Sequence, residues 1–327
     1  MSKLKTIAEL QEALSLALKN ENLSKEPVNL YEPIEYILSL GGKRLRPVLV
    51  LIAADMYACD VVKAMPQAMS VELFHNFTLL HDDIMDDAPL RRGMSTVHEK
   101  WNTNIGILSG DALFVKAYQS LVKADINHLP ALLDLFNQTA IEVCEGQQYD
   151  MDFETQDDVS MDAYLHMIKY KTAVLLACSL KMGAIVANAS ADDQKHLYDF
   201  GIHIGVAFQL MDDLLDVYGD QKEFGKQAAG DILCNKKTCL YIRAYELADS
   251  NQKEVLDHYF AHQNFDPQEK IAKVKSIYEQ LGVESYCRDM MGENYALAMN
   301  SMSKISVSHD RKAVLLDLVQ KLMVRIQ

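Results

Sequence analysis

Four aspartates crowd six positions of the stretch LLHDDIMDDAPLRRG: Asp82, Asp83, Asp86 and Asp87, with Arg91 and Arg92 close behind. On a helix Asp82 stacks over Asp86, about 6 Å along the axis. Like charges at that spacing repel one another. The D-D-x-x-D pattern recurs as DDLLD, at Asp212, Asp213 and Asp216. Each copy lies in an apolar run that must be largely buried, and buried carboxylates need cations. Oxygen ligands carried on helix, with no glycine-containing calcium loop, suit Mg²⁺, which keeps part of its water and completes its shell with substrate phosphates.

Metal-held carboxylates imply a polyanionic ligand, and the chain supplies matching cations. GGKRLRP offers Lys43, Arg44 and Arg46 at a helix start, where the dipole also favours an anion. Arg91 and Arg92 follow the first aspartates, and Lys171-Thr172 open the helix KTAVLLACSL. Lys226 and Lys236 fall in or beside the irregular segment after the second cluster. Arginine forks match diphosphate oxygens bidentately. His75 lies two turns before Asp82 on the same side of its helix, and taken alone it reads as a satisfied core histidine.

The elements that must carry these residues are helical almost throughout. Val71, Phe74, Phe77, Thr78 and Ile84 recur at helical offsets, HIGVAFQLMDDLLDVYGD does likewise, and no run alternates long enough for a strand. Gly41-Gly42 ends one helix and Pro47 fits the first turn of the next. YGDQKEFGKQAAGDILCNKKT is the one extended break. With 327 residues, 49% hydrophobic and 24% charged, no repeat and no linker, the chain is expected to form one all-α domain over residues 1–327, a large helical bundle of roughly a dozen helices. The net charge of −14 argues against nucleic acid or an anionic membrane as partner. The N-terminus has no apolar signal core, and Lys181 interrupts the most apolar run, so no transmembrane segment is expected. Six scattered cysteines without a C-x-x-C pair read as reduced, mostly buried thiols of a cytoplasmic protein.

Taken in order, G-G-K-R-L-R-P, H-D-D-I-M-D-x-x-x-L-R-R-G, K-T, F-Q-x-x-D-D-x-x-D and G-K…G-D…N-K-K-T make a set that resembles the trans-prenyl diphosphate synthases over nearly the whole chain. The resemblance implies an isoprenoid-synthase-like bundle around a central cavity, a homodimer, and elongation of an allylic diphosphate by isopentenyl diphosphate. It implies about three Mg²⁺ ions per active site, ligated by Asp82, Asp86 and Asp212 and supported by Asp83, Asp213 and Asp216. Arg91, Lys171 and Lys226, assisted by Lys236, would bind the allylic diphosphate. Lys43, Arg46, His75 and Arg92, beside Arg44, would bind isopentenyl diphosphate, which turns His75 from a core residue into a ligand contact. Thr172 and Gln209 would face the reacting carbons.

The chemistry expected of such a site is ionisation of the allylic C–O bond against stabilised diphosphate, then attack on the cation by the second substrate's double bond in a water-excluded cavity. The growing chain should run back along the helix from Asp82, past Thr78, four residues away, with Phe77 beside that line as floor. The resemblance implies short products, C15–C20, because family members with an aromatic only at this fifth position and no insertion between the aspartates tend toward them. Two features depart from the family pattern. GKQAAGD lacks the proline often found after the G-K pair, and KLMVRIQ lacks a basic tail, so closure by Lys321 or Arg325 is not expected. Two other readings have their own tests: a class I terpene cyclase would need no isopentenyl diphosphate, and a non-catalytic partner subunit would be inactive alone.

Overall fold

The computed structural model describes residues 4–21, 25–156, 158–219, 229–261 and 265–323. As the 3.6-residue periodicity predicts, the chain is all-α. In order come α1 (Ile7–Asn20), α2 (Val28–Ser39), α3 (Leu45–Met56), α4 (Val61–Met85), α5 (Val97–Lys100), α6 (Thr103–Leu121), α7 (Leu129–Thr155), α8 (Met161–Ile168), α9 (Val174–Val186), α10 (Ala191–Tyr218), α11 (Gly230–Leu233), α12 (Cys239–Leu247), α13 (Ser250–Phe260), α14 (Pro267–Leu281), α15 (Val283–Lys304) and α16 (His309–Met323). The period reading does miss a minimal hairpin. Leu90–Arg91 (β1) pairs antiparallel with Met94–Ser95 (β2), Arg91 opposite Met94. Two-residue strands carry too few positions for alternation to register.

By contacts the chain divides into two compact units. The first comprises residues 1–137, 178–198 and 305–318. In it α4 packs on α3 and α6. α3 is buried at every position from Pro47 to Met56, as expected of a helix apolar all round. Buried Asp55 accepts the backbone N–H of Lys5 at 2.7 Å and lies 3.9 Å from the Arg311 guanidinium. Asp60 caps α4 by accepting the N–H of Val62. α6 comes close to α4 because it presents glycine: a Cβ on Gly110 would lie 2.2 Å from His81 Nε2, and one on Gly106 would lie 2.9 Å from Ile84. His81 Nε2 meets the carbonyl of Ile107 at 3.0 Å, so this histidine ties α4 to α6.

The second unit comprises residues 138–177, 199–304 and 319–327. Its core runs from Phe153 and Tyr164 through Leu210 and Leu214 to Leu240, Val274 and Val283. Gly201 and Gly205 of α10 lie against Ala177 and Ala173, where an added Cβ would come within 2.5 Å of backbone in both cases. One expectation fails in this unit. Cys239 of α12 and Cys287 of α15 form a disulfide, their Cα atoms 6.4 Å apart. Tertiary folding brings together two cysteines 48 residues apart, which local spacing cannot reveal. Cys59, Cys144, Cys178 and Cys234 are free thiols, and of these only Cys178 is buried, so the expected mostly buried set of reduced thiols is not what forms. Among the described residues no helix is long and apolar enough to cross a membrane.

Candidate active site

The first aspartate cluster occupies the last turn of α4. Asp82 is half-buried, Asp83 is buried, and Asp86, the helix C-cap, is exposed. The buried member faces the hairpin. Arg91 donates from Nε to both carboxylate oxygens of Asp83, at 2.9 and 2.8 Å, and its Nη2 lies 2.7 Å from Asp83 and 3.7 Å from Asp82. Burial pushes the Asp83 carboxyl up, and the Arg91 hydrogen bond and charge pull it back. β1 therefore positions Arg91 as a fork across the pair, while Asp86 stays exposed.

The basic turn before α3 sits in the same unit. Gly41 and Gly42, both at positive φ, release the chain from α2, and Arg44, itself left-handed at φ 46°, opens α3. Gly42 sits at φ 126°, which suits glycine alone, and a Cβ there would lie 2.7 Å from the Arg92 guanidinium. Arg92 is thus laid against the GGKR turn. Arg46 Nη1 lies 3.1 Å from His75 Nε2. Burial first, then the charges of Arg46, Arg92 and Arg91, drive His75 well below the usual histidine range, so the ring is neutral and accepts from Arg46. Lys43 is exposed. Arg44 differs from the others. It turns away to Ser15 Oγ at 2.9 Å, the Leu38 carbonyl at 3.3 Å and Glu72 at 3.6 Å, and so braces the turn from behind. Buried Glu72, which the sequence reading did not single out, feels Arg44, Arg92 and Arg46 together.

Phe77 does not stand alone. It stacks on Phe114 of α6, with centroids 5.0 Å apart, and meets His81 edge-on, and Phe74, Tyr118 and Phe136 extend the aromatic cluster. Thr78 donates its hydroxyl to the His75 carbonyl at 2.8 Å.

The second aspartate cluster lies near the C-terminal end of α10 and, like the first, has its middle member buried. Asp212 is exposed, Asp213 buried and Asp216 half-buried. Asp213 accepts from the hydroxyl of buried Tyr164 and from Gln209 Nε2 at 3.1 Å, and Gln209 Oε1 accepts from Thr172 Oγ1 at 3.0 Å. Burial, then repulsion from Asp231, pushes the Asp213 carboxyl up to about 8. Asp216 accepts the backbone N–H of Asp231 at 3.0 Å, which fixes the start of α11 to α10.

Lys171 and Thr172 do not open a helix, as the sequence suggested. They lie in a π-turn, Lys169–Ala173, between α8 and α9. The wider turn accommodates close approach by α7: a Cβ on Gly146 would lie 2.2 Å from the Lys171 nitrogen. Lys171 Nζ donates to Asp150 Oδ2 at 2.5 Å, and Lys236 Nζ lies 3.8 Å from the same oxygen. Both lysine charges outweigh burial and hold Asp150 below the usual carboxylate range. A pocket within this unit is lined by Asp150, Tyr164, Lys171, Thr172, Gln209, Asp213 and Lys236. Asp150 and Tyr164 escaped the sequence reading. The run GQQYD, a glycine then a carboxylate four residues on, was the available signal for Asp150, and no local signal marks Tyr164. Lys226 and Arg325 lie outside the described residues.

The donor chemistry fits Mg²⁺. Both clusters offer only carboxylate oxygens, and in each the buried middle aspartate is occupied by protein donors while one neighbour, Asp86 or Asp212, is exposed.

The polyprenyl synthetase family model matches residues 27–281. The geranylgeranyl diphosphate synthase of Sulfolobus acidocaldarius is 35% identical over 293 residues, 88% of each chain. The short chain isoprenyl diphosphate synthase of Methanothermobacter thermautotrophicus is 34% identical over 289 residues, again 88% of each. The crystal structure of a geranylgeranyl pyrophosphate synthase, 46% identical, superposes with a TM-score of 0.94 over 98% of this chain and 99% of that one. The chain belongs to the polyprenyl synthetase family. Within it the chain is a short-chain trans-prenyl diphosphate synthase, a prenyltransferase.

Proposed function

We propose that this prenyltransferase condenses isopentenyl diphosphate head-to-tail with an allylic diphosphate in the presence of Mg²⁺, gives C15–C20 products, and works as a single domain and as a homodimer in the cytoplasm. The observation that carries the site reading is common to the two aspartate clusters: the middle carboxylate is buried and bonded in each. Asp82, Asp86 and Asp212 would hold the metal, and Asp83, Asp213 and Asp216 would brace them. Bound Mg²⁺ supplies neutralisation of charge on the allylic diphosphate. Arg91, Lys171 and Lys236, with Lys226, bind the same group and stabilise it as it departs. Lys43, Arg46, Arg92 and neutral His75 orient isopentenyl diphosphate so that its double bond faces the allylic carbon. The Thr172–Gln209 pair presents oxygen dipoles to the cation, and the proton lost from the adduct goes to released diphosphate.

Support for the single-domain reading comes from the family match, which runs through both compact units. Support for a dimer comes from α6 and its C-cap, which expose Leu108, Val115 and Val122 at seven-residue spacing. Phe77, backed by Phe114, is the proposed floor of the product channel.

Incubating purified protein with Mg²⁺, isopentenyl diphosphate and each allylic primer, then measuring product length, tests the reading. Activity should need both substrates and vanish with chelator, and Phe77→Ala should lengthen the product. Turnover of the allylic substrate alone would instead identify a cyclase. Inactivity of pure protein would identify a partner subunit.

A further inference from the structure

Beside the first aspartate cluster stands a second group of possible ligands with different chemistry. Asp87 leaves α4 in the left-handed region, at φ 48°. His98 and Glu99 lie in α5, on the far side of the β1–β2 hairpin. Asp87, His98 and Glu99 each offer a donor atom, and these atoms all lie within 4.8 Å of one another. His98 is the informative member. Its side chain is only 6% exposed, yet neither ring nitrogen makes a hydrogen bond, and its nearest ionic neighbour is Glu99, 3.8 Å from Nε2. A buried imidazole with two unsatisfied nitrogens is costly and rare in a folded protein. Asp83 lies within electrostatic reach of the same ring, which adds to the negative surroundings.

We propose that Asp87, His98 and Glu99 bind a Zn²⁺ ion that staples the base of the hairpin carrying Arg91 and Arg92. One imidazole nitrogen with two carboxylates, leaving room for water, is a zinc donor set, whereas Mg²⁺ prefers oxygen alone. Zinc ligands lie closer together than 4.8 Å, and Glu99, 52% exposed, is free to swing inward. Asp87 precedes the hairpin and the other two follow it, so one ion would fix both ends of residues 88–97. The site is separate from the proposed Mg²⁺ ligands, and its occupancy is independent of whether those carboxylates bind metal.

The test titrates Zn²⁺ into chelator-stripped full-length protein, held in excess Mg²⁺ to occupy the oxygen-only sites. One Zn²⁺ per chain should bind by calorimetry, with a histidine nitrogen in its X-ray absorption spectrum. Glu99→Gln and Asp87→Asn, both at exposed positions, should weaken it at least about tenfold, and His98→Ala should abolish it. Zn²⁺ should slow hydrogen exchange over residues 88–97 in the parent and not in Glu99→Gln. Asp82→Asn with Asp212→Asn should leave this zinc in place, which separates the proposal from the synthase reading. Equal zinc binding by the parent, Glu99→Gln and His98→Ala would overturn it, as would the absence of any zinc that survives Mg²⁺.

Discussion

Asp150 draws two lysine side chains toward one carboxylate inside the pocket. It lies 2.5 Å from Lys171 Nζ and 3.8 Å from Lys236 Nζ, so two like charges meet at the same carboxylate. Without it the ammonium groups would repel and separate, and a diphosphate would have to regather them. Asp150→Asn keeps the shape and removes the charge. It should lower kcat/KM for the allylic substrate by about 10- to 100-fold, a loss of about 1.4–2.8 kcal/mol of transition-state stabilisation. The thermal midpoint should stay within a few degrees, since a part-exposed pair contributes little to folding. Loss of folding with loss of activity, seen by circular dichroism, would make the residue a structural one. The candidate residues of the site were legible at this scale wherever a motif was dense. The aspartate pairs, the arginines and K-T stood out, and the structure brings Arg46 to His75, Arg92 to Gly42 and Thr172 to Gln209. Tyr164, Glu72 and the bracing role of Arg44 were not legible, because each depends on a partner far away in sequence.

Helices in this chain are placed by glycines where their backbones must meet. The π-turn that displays Lys171 and Thr172 is set by Gly146, whose added Cβ would overlap the Lys171 backbone at 2.2 Å. Backbone cannot move aside as a flexible side chain can, so Gly146→Ala must push the turn away from α7. Activity should fall at least about tenfold, because a displacement on the ångström scale at a positioning element is costly to catalysis. Gly292 in α15 is the matching control: it is exposed, and nothing lies within 4 Å of its added Cβ. Gly292→Ala should leave kcat unchanged and add about 0.5–1 kcal/mol of stability in urea melts, from helix propensity alone. If both substitutions behave alike, the π-turn is not what sets the lysine's position. Element type was readable from periodicity, and Gly41-Gly42 marked one helix end. The hairpin and the π-turn were not readable, the first being too short to show a period and the second being imposed by packing.

For the whole molecule, the proposed homodimer can be checked against the stripe on α6. Leu108 is 59% exposed and Val115 55%, an unusual display for a helix whose opposite face, through Gly106 and Gly110, is pressed on α4. Light scattering should give about twice the 36.9 kDa chain mass, and Leu108→Glu with Val115→Glu should return a monomer with unchanged helical circular dichroism. A dimer that survives both charges would place the interface elsewhere.

What the sequence determined by itself is the class of fold and the inventory of chemistry. Helical period is a local property, and two aspartate clusters with their basic escort are readable wherever they stand. What only the tertiary structure decided is the division of labour inside that inventory. It set which aspartate of each pair turns inward, which arginine braces and which faces outward, that Lys171 and Lys236 share Asp150, and that Cys239 meets Cys287. Those outcomes follow from burial and from long-range partners, and neither is written in the spacing of residues along a chain.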